Sequence, residues 1–412
     1  MKDKVAFVVI RYGQNMNGGA EQHCRMLAER LVTHYDVEIL TTCVKDYVKG
    51  TNELPEGEEW IDDILVRRFP VAPIQPELHK EYERNAKVSR RLRKHLYQLG
   101  LLKFVASIHP KWTYNAEVEH KYMQSHPLYS PTLVSYVQNY KGKYKAIVPI
   151  TMVYPPVYYA ALYAAEKAIL IPTMHYEGST FRSIQTDVFT RVAYVGFNTT
   201  AEEQLAKNIF GNRMSPHGII SVGIEDSVDA DWKVTKEKYN LPEEYLLFVG
   251  RIDKGKLDHI IQYYLDYKKK YSGSSLKLVL VGGLFSETFR HPDIFYTGFV
   301  SETEKYAIIQ HAKVFVNPSK FESLSLILLE GMSRGKAMLV NGKCAVLKEH
   351  CIKSDGAAFY YKGKRDFISK LNRIESSDEL RVEMGRKGRE YVAANYNWKI
   401  IMDRLKKAIE AI

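Results

Sequence analysis

Two carboxylates and four hydroxyls crowd into one short stretch of this 412-residue chain. Residues 317–335 read NPSKFESLSLILLEGMSRG, with seven residues between Glu322 and Glu330. Leu324, Leu326, Ile327, Leu328, Leu329 and Met332 leave almost no polar face, which predicts a helix buried all round. Glu330 in its middle is costly there unless it is hydrogen-bonded or holds a ligand. Glu322, Ser323 and Ser325 fall where the strand predicted over Val314–Asn317 must turn into that helix. The first-turn N–H groups lack intrahelical acceptors, which makes such a turn a ready anion site. The same residues admit a structural reading, with Ser323 as the helix cap and Glu330 in an internal ion pair.

Other groups suited to chemistry also follow predicted strands. Arg251 and Lys256 come after the apolar run Tyr245–Gly250 and point two cations at a helix N-terminus; that helix is predicted to run to about Tyr271. Gly18 and Gly19 close a glycine-bearing loop after the strand Val5–Ile10 and open a helix through Ala20, Cys24, Leu27, Ala28 and Leu31. His175 lies in the loop Pro172-Thr-Met-His-Tyr-Glu-Gly178, directly after the strand Ala168–Ile171. Thr297 and Gly298 sit near the end of the strand Ile294–Phe299. In an open α/β sheet the carboxyl ends of the strands are where ligands bind. Two cations, a helix N-terminus and a glycine loop suit a diphosphate, and a buried carboxylate can accept hydrogen bonds from a ribose.

The elements that must position these groups alternate between strand and helix. Besides the strands named, Val37–Thr41, Ala146–Ile150, Val192–Phe197, Lys277–Val281, Lys336–Asn341 and Ala358–Tyr361 read as strands. Thr199 or Thr200 caps a helix through Ile209, with Glu202 and Glu203 near its positive end. The expected fold class is α/β, with two Rossmann-like, doubly wound parallel-sheet domains facing a central cleft. Domains are expected at 1–223 and 224–395, with a C-terminal helix over 396–412 crossing back to the first.

Composition bounds the partners. Hydrophobic residues make up 45% and charged residues 26%, as in an ordinary globular protein. The formal net charge of +11 favours an anionic partner. Lys80–Lys103 holds eight Lys or Arg against two Glu, and Val88, Leu92, Leu96 and Leu99 fall at helical spacing. This predicts one basic amphipathic helix, either docked on its own domain or in contact with an anionic membrane surface. No secretory signal is read at the start, and the longest apolar stretch, Tyr154–Pro172, is broken by Glu166 and Lys167, so no membrane span is predicted. The four cysteines show no zinc spacing and suit a reducing cytoplasm. Asp229-Ala-Asp231 spells a metal-binding pattern but sits in a linker, so no metal is expected there. No single-strand platform or helix-turn-helix is found, so nucleic acid is not an expected partner.

These motifs together resemble those of a retaining glycosyltransferase of family four, with the two-Rossmann GT-B fold. The resemblance is carried by Glu322-x7-Glu330, by Val249-Gly-Arg251 with Lys256, and by Gly18-Gly19-Ala-Glu21. The loops around His175, Phe197–Thr200 and Val340–Leu347 are similar to those of bacterial enzymes that build O-antigen, capsule or other surface polysaccharides. The resemblance implies that Glu322 contacts the transferred sugar and that Ser323, Leu324 and Ser325 hold sugar and phosphate. It implies that Arg251 and Lys256 neutralise the diphosphate, with Gly18 and Gly19 closing on it. Glu330 would bind the ribose, with the base near Thr297, Gly298 and Phe299. His175 would stand beside the reacting sugar, with Tyr176 and Glu177 on the acceptor side.

The implied enzyme is a metal-independent hexosyltransferase that uses no cofactor. It would move a hexose or deoxyhexose from a UDP-, GDP- or dTDP-sugar to a growing, lipid-linked surface glycan, in the cytoplasm at the inner face of the membrane. Two departures stand out: Leu257 replaces a usual glycine, and Ser323-Leu324-Ser325 replaces Gly-Phe-Gly. The alternatives are a GT-B epimerase or phosphorylase and a non-catalytic protein that binds anions or nucleic acid.

Overall fold

The computed structural model describes residues 2–13, 16, 18–47, 49–225, 228–285 and 287–412. Its contacts form two compact units, Met1–Val222 with Lys399–Ile412, and Gly223–Trp398.

The first unit is built on β1 (Lys4–Val8), β2 (Asp36–Thr42), β3 (Gly57–Ile61), β4 (Ile64–Phe69), β5 (Ala146–Pro149), β6 (Ile169–Leu170), β7 (Tyr194–Phe197) and β8 (His217–Ile219). One sheet runs β3-β4-β2-β1-β5 and a second runs β6-β7-β8. Parallel bridges from Ile147 to Ala168 and from Ile150 to Ile171 continue the first into the second. Every pairing is parallel except β3 with β4. That hairpin turns through Asp62 and Asp63 at φ 49° and 63°, the left-handed pair a two-residue turn requires. Val5, Ala6, Phe7 and Val8 are buried on both faces, which is why β1 reads as an unbroken apolar run.

Four helices of this unit matter below: α1 (Gly19–Leu31), α2 (Pro76–Asn85), α3 (Lys87–Gln98) and α4 (Leu102–Ile108). The basic segment 80–103 is therefore not one helix. Gly100, at φ 74°, ends α3; its N–H reaches the Tyr97 carbonyl while the Leu101 N–H reaches that of Leu96, a left-handed stop that glycine makes cheaply. From Lys399 on, the last helix, Trp398–Glu410, belongs to this unit. There Glu410 accepts from Tyr35 and, at 2.6 Å, from Lys145.

The second unit holds β9 (Tyr245–Val249), β10 (Lys277–Val281), β11 (Ile294–Gly298), β12 (Val314–Asn317), β13 (Met338–Asn341) and β14 (Ala358–Tyr361). They are all parallel, in the order β11-β10-β9-β12-β13-β14. Counted within the unit this is 3-2-1-4-5-6, the dinucleotide-fold order, and its direction of winding reverses between β9 and β12. Such a switch point opens a crevice at the carboxyl ends of the two strands. The loops with Arg251 and Lys256, and with Glu322, leave from those ends. Among the described residues, no helix is long and apolar enough to cross a membrane.

Candidate functional site

In the second unit, Asp253 caps the short helix Lys254–Leu257 by accepting the Lys256 N–H at 2.8 Å. The predicted helix from there to Tyr271 is interrupted, because Asp258 takes φ 47°; the chain resumes as Ile260–Lys270. Leu257 is buried with Leu246, Phe248 and Ile260, so the residue in place of the expected glycine anchors the cation loop to the core. Lys256 Nζ donates to Glu322 Oε1 at 2.7 Å and reaches Ser319 Oγ at 3.5 Å. Arg251 is half-exposed, with Nε 3.6 Å from Asp253. The structure thus brings Lys256 and Glu322 together at the switch point, with Arg251 on the same loop as Lys256 and beside its Asp253 cap.

The loop after Glu322 departs from expectation. Ser323 is not the helix cap: the helix spans Leu326–Ser333, and Ser325 precedes it at φ 69° with no side-chain cap. Instead, Ser325 Oγ accepts from Asn317 Nδ2 at 2.9 Å. Leu324 is buried, and its carbonyl accepts from His350 Nε2 at 2.8 Å. Since that carbonyl can only accept, Nε2 carries the proton and Nδ1 receives the Tyr391 hydroxyl at 3.0 Å. Burial lowers the His350 pKa to about 4, so the ring is neutral at pH 7. A buried histidine holds a bend that glycines would otherwise make.

Glu330 is buried inside its helix. Lys305 Nζ lies 3.1 Å from its Oε1 and 3.0 Å from its Oε2, and Tyr306 donates to Oε1 at 3.2 Å. Burial raises the Glu330 pKa, while the same ion pair drives that of Lys305 upward. Thr297 and Gly298 end β11, Gly298 at φ 73°. Phe299 beyond them is 64% exposed. A Cβ on Gly283 would come within 2.5 Å of the Phe299 ring and 3.0 Å of the exposed Phe285 ring, so two aromatic faces flank a glycine at the end of β10. The Asp229-Ala-Asp231 pair is used structurally: Asp229 pairs with Arg334 and Asp231 caps the helix Trp232–Tyr239.

In the first unit, Gly18 precedes α1 where a Cβ would fall 2.0 Å from Glu21 Oε2. Glu21 folds back over the loop to meet Arg11 at 2.7 Å, so a side chain at position 18 would displace that carboxylate. A Cβ on Gly19 would meet nothing within 4 Å. Positions 14, 15 and 17 of this loop lie outside the described residues.

His175 follows β6 and sits 3.7 Å from Glu177. The backbone on either side of that strand edge is strained. Thr151, after β5, and Thr173, after β6, have φ of 77° and 47° and share a hydroxyl hydrogen bond at 3.0 Å. A β-branched residue at positive φ is an outlier that the surroundings must enforce. Glu202 does part of this. Buried at the start of the Thr199-capped helix, it accepts the Met174 N–H at 2.6 Å and the Asn198 N–H at 2.7 Å. Burial raises its pKa to about 8. Tyr176 receives Gln98 Nε2 at 3.4 Å and carries Lys94 over its ring at 4.9 Å.

His350, Lys305, Phe285 and the anchoring role of Glu202 were missed by sequence reasoning. Only Glu202 left a signal, an acid three residues after a helix-capping threonine.

Residues 232–391 match the family model described as glycosyl transferases group 1. An uncharacterised glycosyltransferase of Methanocaldococcus jannaschii is 24% identical over 239 residues, 55% of this chain and 60% of that protein. The match thus spans less than two thirds of the relative. Among solved structures, sucrose-phosphate synthase from Thermosynechococcus elongatus is similar with a TM-score of 0.67 at 16% identity, over 99% of this chain and 98% of that one. Anabaena HepE, solved with UDP and glucose, has a TM-score of 0.65 at 12% identity over 100% of each chain.

The fold is GT-B. The group 1 match encloses the whole sheet of the second unit, from β9 to β14. Arg251, Lys256, Glu322 and Glu330 of this GT-B chain all lie inside it.

Proposed function

We propose that the chain is a metal-independent retaining glycosyltransferase. It moves a hexose or deoxyhexose from a nucleotide-diphosphate sugar to a growing, lipid-linked surface glycan of O-antigen or capsule type, at the cytoplasmic face of a membrane. The observation that carries this is the Lys256–Glu322 pair at the β9/β12 switch point, within residues that match group 1 glycosyl transferases.

In this reading Arg251 and Lys256 take the charge that builds on the departing nucleoside diphosphate, a preorganised electrostatic role. Glu322 then turns to the hydroxyls of the transferred sugar. The Ser323–Ser325 bend and the helix start at Leu326 offer backbone N–H groups to the phosphates. Thr297, Gly298 and Phe299 receive the base, and Glu330, poised by Lys305 and Tyr306, the ribose. The leaving phosphate oxygen takes the acceptor proton on the face from which it departs, so configuration is retained. His175, Tyr176 and Glu177 serve the acceptor side.

The test is a panel of UDP-, GDP- and dTDP-sugars with polyprenyl-diphosphate-linked acceptors, with UDP-glucose first because the Anabaena neighbour was solved with UDP and glucose. Product anomers are read by NMR, with and without EDTA. Transfer with retention that survives EDTA is expected. An inverted product, or strict dependence on a divalent metal, would overturn the mechanism, and hydrolysis or epimerisation without transfer would overturn the assignment.

A further inference from the structure

The two sides of α3 meet different surroundings. Its inner side is buried: Ser89 meets Ser183, and Arg93 donates from Nε to the Phe181 carbonyl at 3.1 Å and from Nη2 to that of Ile209 at 3.2 Å. Its outer side carries Val88, Arg91, Leu92, His95 and Leu99, all exposed and spaced to share one face. Of the four apolar positions Val88, Leu92, Leu96 and Leu99, Leu96 packs against the core of its unit while the other three face solvent, so the stripe as a whole is not docked on the domain.

The same pattern continues in α4. Leu102 and Ala106 are buried, while Leu101, Phe104 and Ile108 stand in solvent, Phe104 at 67% and Ile108 at 51% exposure. Scattered exposed apolar residues are ordinary, but six large ones within residues 88–108, on α3, on α4 and at the turn that joins them, are a concentration that marks an interaction surface. Between Arg84 and Ala116 the chain has eight Lys or Arg and no Asp or Glu. Of these, Arg84, Arg91, Lys103 and Lys111 are exposed.

We infer that this α3–α4 surface docks on an anionic lipid bilayer. Apolar side chains reach the headgroup–acyl boundary while the cations beside them meet lipid phosphates, a combination that interfacial helices use. A second copy would bring the same unopposed cations together, which charge disfavours. The helix also reaches the candidate acceptor loop within the same unit. Gln98 and Lys94 hold Tyr176, the Tyr97 and Tyr176 rings are 5.6 Å apart, and α3 packs on Ser179–Phe181 just after Gly178. Docking through the outer side of α3 would therefore hold His175–Gly178 close to the bilayer, where a lipid-linked acceptor is presented. That purpose rests on the proposed function, but the binding measurement needs neither donor nor acceptor, so the two can fail separately.

The test is flotation of the full chain with phosphatidylcholine vesicles, with and without phosphatidylglycerol. Binding is expected only with the anionic lipid and should weaken with salt. Leu92→Ser with Phe104→Ser and Ile108→Ser should weaken it by about tenfold or more. Arg91→Gln with Lys103→Gln should weaken it and flatten its salt dependence. Circular dichroism and thermal melts report that these surface variants fold. No binding, equal binding to neutral vesicles, or binding indifferent to both sets would overturn the inference. So would a dimer in sedimentation that the apolar set dissolves, which would assign the surface to a second copy.

Discussion

Lys256 Nζ and Glu322 Oε1 are 2.7 Å apart, so the cation that follows β9 and the carboxylate that follows β12 neutralise each other across the strand-order switch. A diphosphate and a sugar would each claim one partner, which makes the pair a unit. Lys256→Ala and Glu322→Ala should each lower kcat by about 10²- to 10³-fold, the usual cost of removing one preorganised electrostatic group. The double variant should lose far less than the product of the two, because contacting residues are not additive. Steady-state release of nucleoside diphosphate measures all three; independent, multiplying losses would show that the pair does not act together.

His350 supports the bend after Glu322 through the Leu324 carbonyl. His350→Ala should cost about 1–3 kcal/mol, because it leaves that buried carbonyl unpaired, and should raise the donor KM. His350→Gln, whose amide can still donate, should restore part of both. The pH dependence has a definite sign. Burial lowers His350 from its ordinary 6.5 to about 4 in the folded state, so its contribution is complete above pH 6.5 and is lost as pH falls towards 4. Burial lowers His23 and His126 to about 4 as well. Thermal melts should show Tm falling across that window, less steeply for His350→Gln; identical slopes and an unchanged KM would remove His350 from this role.

Phe299 and Phe285 flank Gly283 at the end of β10, and both are exposed. An exposed aromatic face beside a glycine suits a stacked base. Phe299→Ala should weaken nucleoside diphosphate binding by about 1–3 kcal/mol, the range for base–aromatic stacking. Gly283→Val, whose Cβ would fall 2.5 Å from the Phe299 ring, should do the same by displacing it. Calorimetric titration with UDP, GDP and dTDP measures both, and wild-type affinity in both variants would place the base elsewhere.

That Arg251, Lys256 and Glu322 follow strand ends was legible in sequence, because each comes after an apolar run that could only be a central strand. The doubly wound parallel sheet was legible for the same reason, though its strand order was not. Contacts between distant positions were not. Nothing local marks His350 as the partner of Leu324, or Lys305 as that of Glu330, since the members of each pair stand 26 and 25 residues apart and meet only through the tertiary fold. The α3 segment shows a further limit. Apolar spacing at Val88, Leu92 and Leu99 specifies a shared face but not the medium that covers it. Here the core took Ser89 and Arg93, because backbone carbonyls of Phe181 and Ile209 satisfy the guanidinium.

Glu202 ties the loop before His175 to the start of the next helix, and its titration should be visible. Burial raises its pKa from the ordinary 4.5 to about 8 in the folded state. The folded protein then keeps a proton that the unfolded chain releases, so this contribution is complete below pH 4.5 and is lost as pH rises towards 8. The slope is opposite to that of the buried histidines. Glu202→Gln keeps one acceptor but leaves the N–H of Met174 or Asn198 unpaired, which should cost about 1–3 kcal/mol. It should also remove the decline in stability between pH 4.5 and 8, read as Tm against pH. Because Lys256 and Glu322 belong to the other unit, donor binding should survive while transfer falls. An unchanged pH slope would show that Glu202 is not the titrating group, and lost donor binding would show that its role is not confined to the His175 loop.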